Sequence, residues 1–314
     1  MMEKLRVAAV VGPTAVGKTR LAVSLALRCG GEVVSADSMQ VYRGLSIGTA
    51  QPSQEEMRGV PHHLIGFLNP EEPFSVADYV KLASGKIRDI SARGKLPIVT
   101  GGTGLYVRSL LSGVSFSPEE GSSRLRAELR QKAEQEGPQA LWDELCSFDP
   151  ESAAHIHPNN IGRVVRAIEV YRLSGVTMSE RQKHSRDNPP PYDTAVIGLA
   201  FRDRARLYEA IDRRVDRMVS DGLPAEAECV YHMEHAETAS QAIGYKEFFP
   251  YFRGECPLAD AVEAVKRNSR RYAKRQLTWF RRDRQIHWLF VDECTESELF
   301  RQACGVLAEK GWDL

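Results

Sequence analysis

Gly12-Pro13-Thr14-Ala15-Val16-Gly17-Lys18-Thr19 follows the spacing GxxxxGK[ST] at every fixed position, and its flanks decide how it is read. Ahead of it, Val7-Ala8-Ala9-Val10-Val11 is a short apolar run of the kind that forms buried parallel strands. Behind it, Leu21, Ala22, Leu25 and Ala26 recur at helical spacing. Strand, glycine-rich turn and helix in that order predict a phosphate-binding loop. Its backbone N–H groups turn inward on phosphate oxygens, and the helix N-terminus adds a favourable dipole. Lys18 can then neutralise the outer phosphates, and Thr19 can ligate Mg2+. Such a loop reads a pyrophosphate and does not identify the molecule that carries it.

Working outward, further strand-like runs at 31–36, 96–100, 194–199 and 287–291 alternate with helical patterns at 76–93, 202–221 and 258–280. The alternation predicts an α/β fold: a P-loop NTPase-like parallel sheet flanked by helices. Between Ser117-Pro118-Glu119-Glu120-Gly121 and Asn188-Pro189-Pro190-Pro191 the patterns at 124–136, 140–148 and 160–173 are helical only. The expected organisation is therefore a catalytic core in two parts, 1–117 and 193–314, with a helical insertion domain at 118–192.

The 314 residues carry 42 Lys+Arg against 42 Asp+Glu, and at 42 % apolar and 27 % charged the composition is that of an ordinary globular protein. No apolar run approaches the roughly 18 residues that cross a bilayer, and the first residues are too short of apolar character for a signal peptide. No membrane association is expected. The six cysteines contain no CxxC pair, which points to a reducing cytoplasm and to no zinc site. His62-His63 and the pair His155 and His157 lack the accompanying Cys or carboxylate set that a metal needs, and read as structural or surface histidines.

Zero net charge argues at first against a nucleic-acid partner. The sum conceals a local excess: residues 266–284 read KRNSRRYAKRQLTWFRRDR, nine Lys/Arg and one Asp in nineteen residues. Arg267, Arg270, Arg271, Lys274, Arg281 and Arg282 recur mostly at three- and four-residue steps, as along one helical face. Such a stripe is an electrostatic footprint for phosphates; a solvated face paired with carboxylates elsewhere is the other reading.

Asp37 follows the strand-like Val33-Val34-Ser35-Ala36, at the carboxyl end where doubly wound sheets bind ligands. A carboxylate there can take a proton from an acceptor attacking a phosphate-bearing donor, or it can simply cap a turn. Ser38, Gln40 and Tyr42 follow as polar groups able to orient the acceptor. Thr103 stands in the same relation to the strand at 96–100. Arg163 and Arg166 lie one helical turn apart, and one of the arginines in Ile211-Asp212-Arg213-Arg214-Val215-Asp216-Arg217 is free to reach the phosphate loop; spacing does not say which.

GPTAVGKT, SADSMQVYRGLSIGTAQP (35–52), PHHLIG (61–66), GGTGLY (101–106), HPNNIGRVVRAIEVY (157–171), QAIGYKE (241–247) and KRQLTWFRR (274–282) together resemble the bacterial tRNA dimethylallyltransferase family, in order and over almost the whole chain. The resemblance implies transfer of a dimethylallyl group from dimethylallyl diphosphate to the N6 amine of the adenosine 3′-adjacent to the anticodon in tRNA. It implies that Gly12, Pro13, Thr14, Ala15, Val16, Gly17, Lys18 and Thr19 hold the diphosphate together with Arg214. It makes Asp37 the general base, with Thr19, Thr103 and Arg214 assisting and Mg2+ bound at Thr19. Contacts to the anticodon stem-loop are implied for Asp37, Ser38, Met39 and Gln40, for Thr103 and Arg126, and for Asn160, Ile161, Gly162, Arg163, Val164, Val165 and Arg166. A further implied stretch is Ser240, Gln241, Ala242, Ile243, Gly244, Tyr245 and Lys246, and the basic stripe adds Arg270, Lys274 and Arg281. A cytoplasmic monomer without zinc is the family expectation. Two other functions compete: an ATP-dependent small-molecule kinase with Asp37 as base, which leaves the basic stripe without a task, and a non-catalytic nucleotide-dependent RNA-binding module, which leaves Asp37 idle.

Overall fold

Val7 to Val11 are fully buried in strand β1 (Leu5–Val11), at the centre of a sheet seen in a computed structural model that describes residues 4–114, 122–187 and 189–312. The other strands are β2 (Glu32–Ser35), β3 (His62–His63), β4 (Pro97–Gly101), β5 (Tyr192–Ala200) and β6 (Ile286–Phe290). They lie in the order β3-β2-β4-β1-β5-β6, and every neighbouring pair is parallel. Side chains alternate along each strand, so the apolar run of β1 feeds two cores. Ala8 and Val10 pack with Leu21, Leu25 and Ile211 on one face; Val7, Ala9 and Val11 pack with Tyr79, Ile87 and Leu110 on the other. Helices on both faces and a wholly parallel sheet make the P-loop NTPase-like α/β fold.

The helices start and stop where local chemistry dictates. The helix Lys18–Cys29 ends at Gly30, whose left-handed backbone (φ 60°) returns its N–H to the carbonyl of Ala26. Ser75 and Asp78 form a reciprocal capping box at the head of Val76–Ala92, and Thr295 and Glu298 do the same for Glu296–Ala308.

The chain divides into two compact units, one running to Leu111 and resuming at Pro191, the other Ser112–Pro190. All six strands belong to the first. The second contains the helices Ser123–Glu136, Pro138–Phe148, Pro150–His155, Ile161–Ser174 and Met178–Asp187 around Leu129, Leu141, Leu145, Val164 and Ile168. The punctuating run Ser117-Pro118-Glu119-Glu120-Gly121, and Asn188 at the head of the proline connector, lie outside the described residues.

One buried strand residue is charged. Glu32, 2 % exposed, accepts hydrogen bonds from Arg93, from Lys95 at 2.9 Å and from His63 at 2.8 Å, which ties edge strand β3 to β2. Arg93 above all, then Lys95 and His63, hold its carboxyl far below the usual carboxylate range. Because the folded-state pKa lies below the unfolded one, the stabilisation is complete above the unfolded value and is lost as pH falls toward the folded one. Glu32→Gln is expected to cost about 1.5–3 kcal/mol at pH 7, the range for hydrogen bonds to charged groups. Urea unfolding at pH 7 and pH 4 checks this: the gap between variant and wild type should narrow at the lower pH.

Candidate active site

Parallel strands end at one edge, and there the segments after β1, β2 and β4 converge. The segment after β1 turns at Gly12, where φ is 143° and a Cβ would stand 2.3 Å from the carbonyl oxygen of Leu199 on β5. Only glycine fits that approach. Gly17 (φ 82°) then turns the chain into the helix that opens with Lys18, whose Nζ donates to the carbonyl of Pro13 at 2.6 Å. After β2, Asp37 folds back so that its Oδ1 accepts the N–H of Met39 at 2.9 Å; its Oδ2 accepts no hydrogen bond from the described residues. After β4, the Thr103 hydroxyl accepts the N–H of Ser38 at 3.0 Å and donates to the Ser38 hydroxyl at 3.3 Å.

These segments border a cavity of about 1040 Å³, lined by Thr14 to Thr19, Asp37 to Gln40, residues 46–53, Arg214 and Tyr272 among others. A helix that sequence left ambiguous supplies Arg214: along Arg204–Ser220, Asp212 pairs with Arg270 and Asp216 with Lys266, while Arg213, Arg214 and Arg217 line the cavity. The field inside is uneven. Desolvation and the neighbouring Arg214 push the Lys18 ammonium down to about 7, against the attraction of Asp37. Arg214 is likewise lowered by desolvation, against Asp37 and Glu56. It makes no ion pair within 4 Å among the described residues. Two cations short of counter-charge beside a phosphate-type loop form a site for a multiply charged anion. Ile211, Val215, Met218, Ile243 and Val265 give the same cavity an apolar wall.

Supports that sequence did not reveal hold the far wall. Glu226 accepts the N–H groups of Ser46, Ile47 and Gly48 at 2.7 to 3.0 Å, and the Tyr245 hydroxyl donates to the same carboxylate at 2.8 Å. Gln40 is fixed between the Ser35 hydroxyl (3.0 Å) and the carbonyl of Ala50 (2.8 Å). Nothing in spacing links Glu226 to residues 46–48, which lie 178 to 180 positions away.

The residues expected to meet RNA fall into distinct settings. Gln241, Ala242, Ile243, Gly244 and Lys246 line the cavity, whereas Tyr245 is fully buried. On the helix Leu258–Phe280, Arg267, Arg271, Lys274 and Arg275 are exposed; the helix ends at Phe280, so Arg281, Arg282 and Arg284 follow it in a turn rather than extend its face. These seven cations have no carboxylate within 4 Å among the described residues, while Lys266 and Arg270 are paired. The solvated, carboxylate-paired reading therefore fits only two of the nine. In the helical unit, Arg163 is exposed, Arg126 and Arg166 both grip the buried Glu169 at 2.7 Å, and Val164 and Val165 point into the unit's core.

Comparison with known proteins adds two family matches: a model described as IPP transferase covers residues 40–283, and one described as isopentenyl transferase covers 5–65. Proteins named tRNA dimethylallyltransferase from Geobacillus thermodenitrificans (47 % identity, 98 % of each chain) and Bacillus subtilis (47 %, 97 % of this chain and 98 % of that one) are similar along their whole length. Among solved structures, the full-length tRNA isopentenylpyrophosphate transferase of Bacillus halodurans matches with a TM-score of 0.73 at 45 % identity over 98 % of both chains. A eukaryotic dimethylallyltransferase described as acting on tRNA matches at 0.79 and 28 % identity, over 96 % of this chain and 77 % of the other.

Proposed function

The chain belongs to the IPP transferase family, and from that membership we propose that it transfers a dimethylallyl group from dimethylallyl diphosphate to the N6 amine of the adenosine 3′-adjacent to the anticodon in tRNA. It is an enzyme, a tRNA dimethylallyltransferase. The observation that carries the reading for this chain is the cavity itself, where the under-compensated Lys18 and Arg214 border the same space as the open oxygen of Asp37.

The diphosphate supplies the negative charge that Lys18 and Arg214 lack. The adenine amine attacks C1 of the allylic chain, the C1–O bond breaks, and its electron pair leaves with diphosphate. Asp37 Oδ2 takes the proton that the amine loses. Charge grows on the departing oxygens, and backbone N–H groups of the loop, Lys18 and Arg214 stabilise it. The Thr19 hydroxyl, on the wall of the cavity that Asp37 also lines, is an oxygen donor of the kind that suits Mg2+, a hard cation that takes substrate phosphates among its ligands. Bound there, it would add Lewis-acid neutralisation of the leaving group. The target base stacks in its loop, so extraction costs about a few kcal/mol; a cavity of about 1040 Å³ is large enough for donor and base together. Ser38 to Gln40, residues 240–244 with Lys246, the exposed Asn160, Gly162 and Arg163, and the exposed cations after Lys266 would hold the tRNA. No helix among the described residues is long and apolar enough to cross a membrane, and we read the enzyme as a cytoplasmic monomer.

Incubation with unmodified tRNA and dimethylallyl diphosphate, without ATP, followed by nucleoside mass spectrometry, tests the reading. An adenosine heavier by one dimethylallyl group is expected; unchanged adenosine would overturn it. ATP-dependent phosphorylation of a small molecule would favour the kinase.

A further inference from the structure

Gln276 stands within the most basic stretch of the chain, between Arg275 and Leu277, yet it is only 5 % exposed. Its amide bridges two segments of the site. Oε1 accepts the N–H of Thr14 in the phosphate loop at 3.0 Å, and Nε2 donates to the carbonyl of Gly102 at 2.9 Å. Gly102 immediately precedes Thr103, whose hydroxyl holds Ser38 beside Asp37. A Cβ on residue 102 would sit 2.1 Å from Gln276 Nε2, so the absence of a side chain there is what lets the amide in.

The chemistry is selective. Bridging a backbone N–H and a backbone carbonyl takes one side chain that both accepts and donates in a fixed plane. A carboxylate would lack the donor and would place negative charge against the diphosphate. A lysine or arginine would lack the acceptor. Asparagine falls one methylene short. We propose that Gln276 is a positioning residue for dimethylallyl transfer: it sets the spacing between the loop that holds the donor and the segment that holds the acceptor. The inference rests on the proposed reaction, since positioning matters only if two substrates must meet here.

Gln276→Leu and Gly102→Ala break the same bridge from opposite ends, and single-turnover transfer at saturating donor and tRNA reads the result. Each variant is expected to be slower by about 100-fold, the cost of an ångström-scale misplacement. Affinities for inorganic pyrophosphate and for tRNA should stay within about tenfold of wild type, at most half the free-energy change of the rate loss. The double variant should be no slower than the worse single one, because one bridge is lost only once. Gln276→Asn gives the same readout if leucine prevents folding. Near-normal rates, full recovery at higher donor concentration, or multiplied losses in the double variant would each overturn the proposal. Absence of product from the wild-type protein would instead remove the reaction itself.

Discussion

Asp37→Asn is expected to leave the protein folded and competent to bind tRNA while slowing dimethylallyl transfer about a thousand-fold, within the range for loss of a positioned base. Asparagine keeps Oδ1, so the bond from the Met39 N–H that shapes the turn survives. What changes is the other oxygen: an NH₂ group there donates instead of accepting and faces the incoming amine with the wrong polarity. The substitution also removes the one carboxylate whose field raises both Lys18 and Arg214. Single-turnover transfer together with a tRNA-binding titration separates these effects. A rate within about tenfold of wild type would mean that general-base catalysis, ordinarily worth more than that, is not the task of Asp37.

The second large effect concerns the leaving group. Arg214→Met should lower the transfer rate by about 100- to 1000-fold, the cost of removing one preorganised stabiliser of developing charge. The same change is expected not to lower the thermal midpoint of the ligand-free protein, because it breaks no ion pair and removes a desolvated charge. Pyrophosphate, which raises the midpoint of the wild-type protein by binding only the native state, should do so much less for the variant. Thermal melts with and without pyrophosphate, run beside rate measurements, check both signs. An unliganded melt several degrees lower, with transfer intact, would assign Arg214 to the scaffold.

The parts of this molecule readable from the chain are those whose physics is local. GxxxxGK[ST] places a tight turn between a strand and a helix by spacing alone, and Asp37 inherits its position from the strand before it. Strand β3 escaped because His62–His63 is two residues long, with no period to detect. The helix Gly104–Leu111 escaped because Gly101-Gly102-Thr103-Gly104 reads as a turn into which no helix start is written. The pairings that give each basic residue its setting are non-local: Arg126 meets Glu169 across 43 positions, Arg270 meets Asp212 across 58, and Gln276 reaches Thr14 across 262. A glutamine among arginines offers no periodic signal of burial. The family resemblance carried residues such as Val164 and Tyr245 as part of contiguous stretches, and only the fold separates their buried side chains from exposed neighbours such as Arg163.

The approach of Gly12 to the carbonyl of Leu199 also has a bearing on biosynthesis. Four strands, β3-β2-β4-β1, can associate once residue 101 has left the ribosome, but β1 then forms an open margin. That margin, Leu5–Val11, is apolar but for Arg6, the kind of edge that recruits other chains when left uncovered. At about 5–20 residues per second, β5 follows on the order of 5–20 s later to cover it and to complete the wall behind the phosphate loop. Until that moment the nascent chain carries the phosphate-loop sequence but no completed pocket, and a truncation anywhere in the helical unit would release it with that edge uncovered.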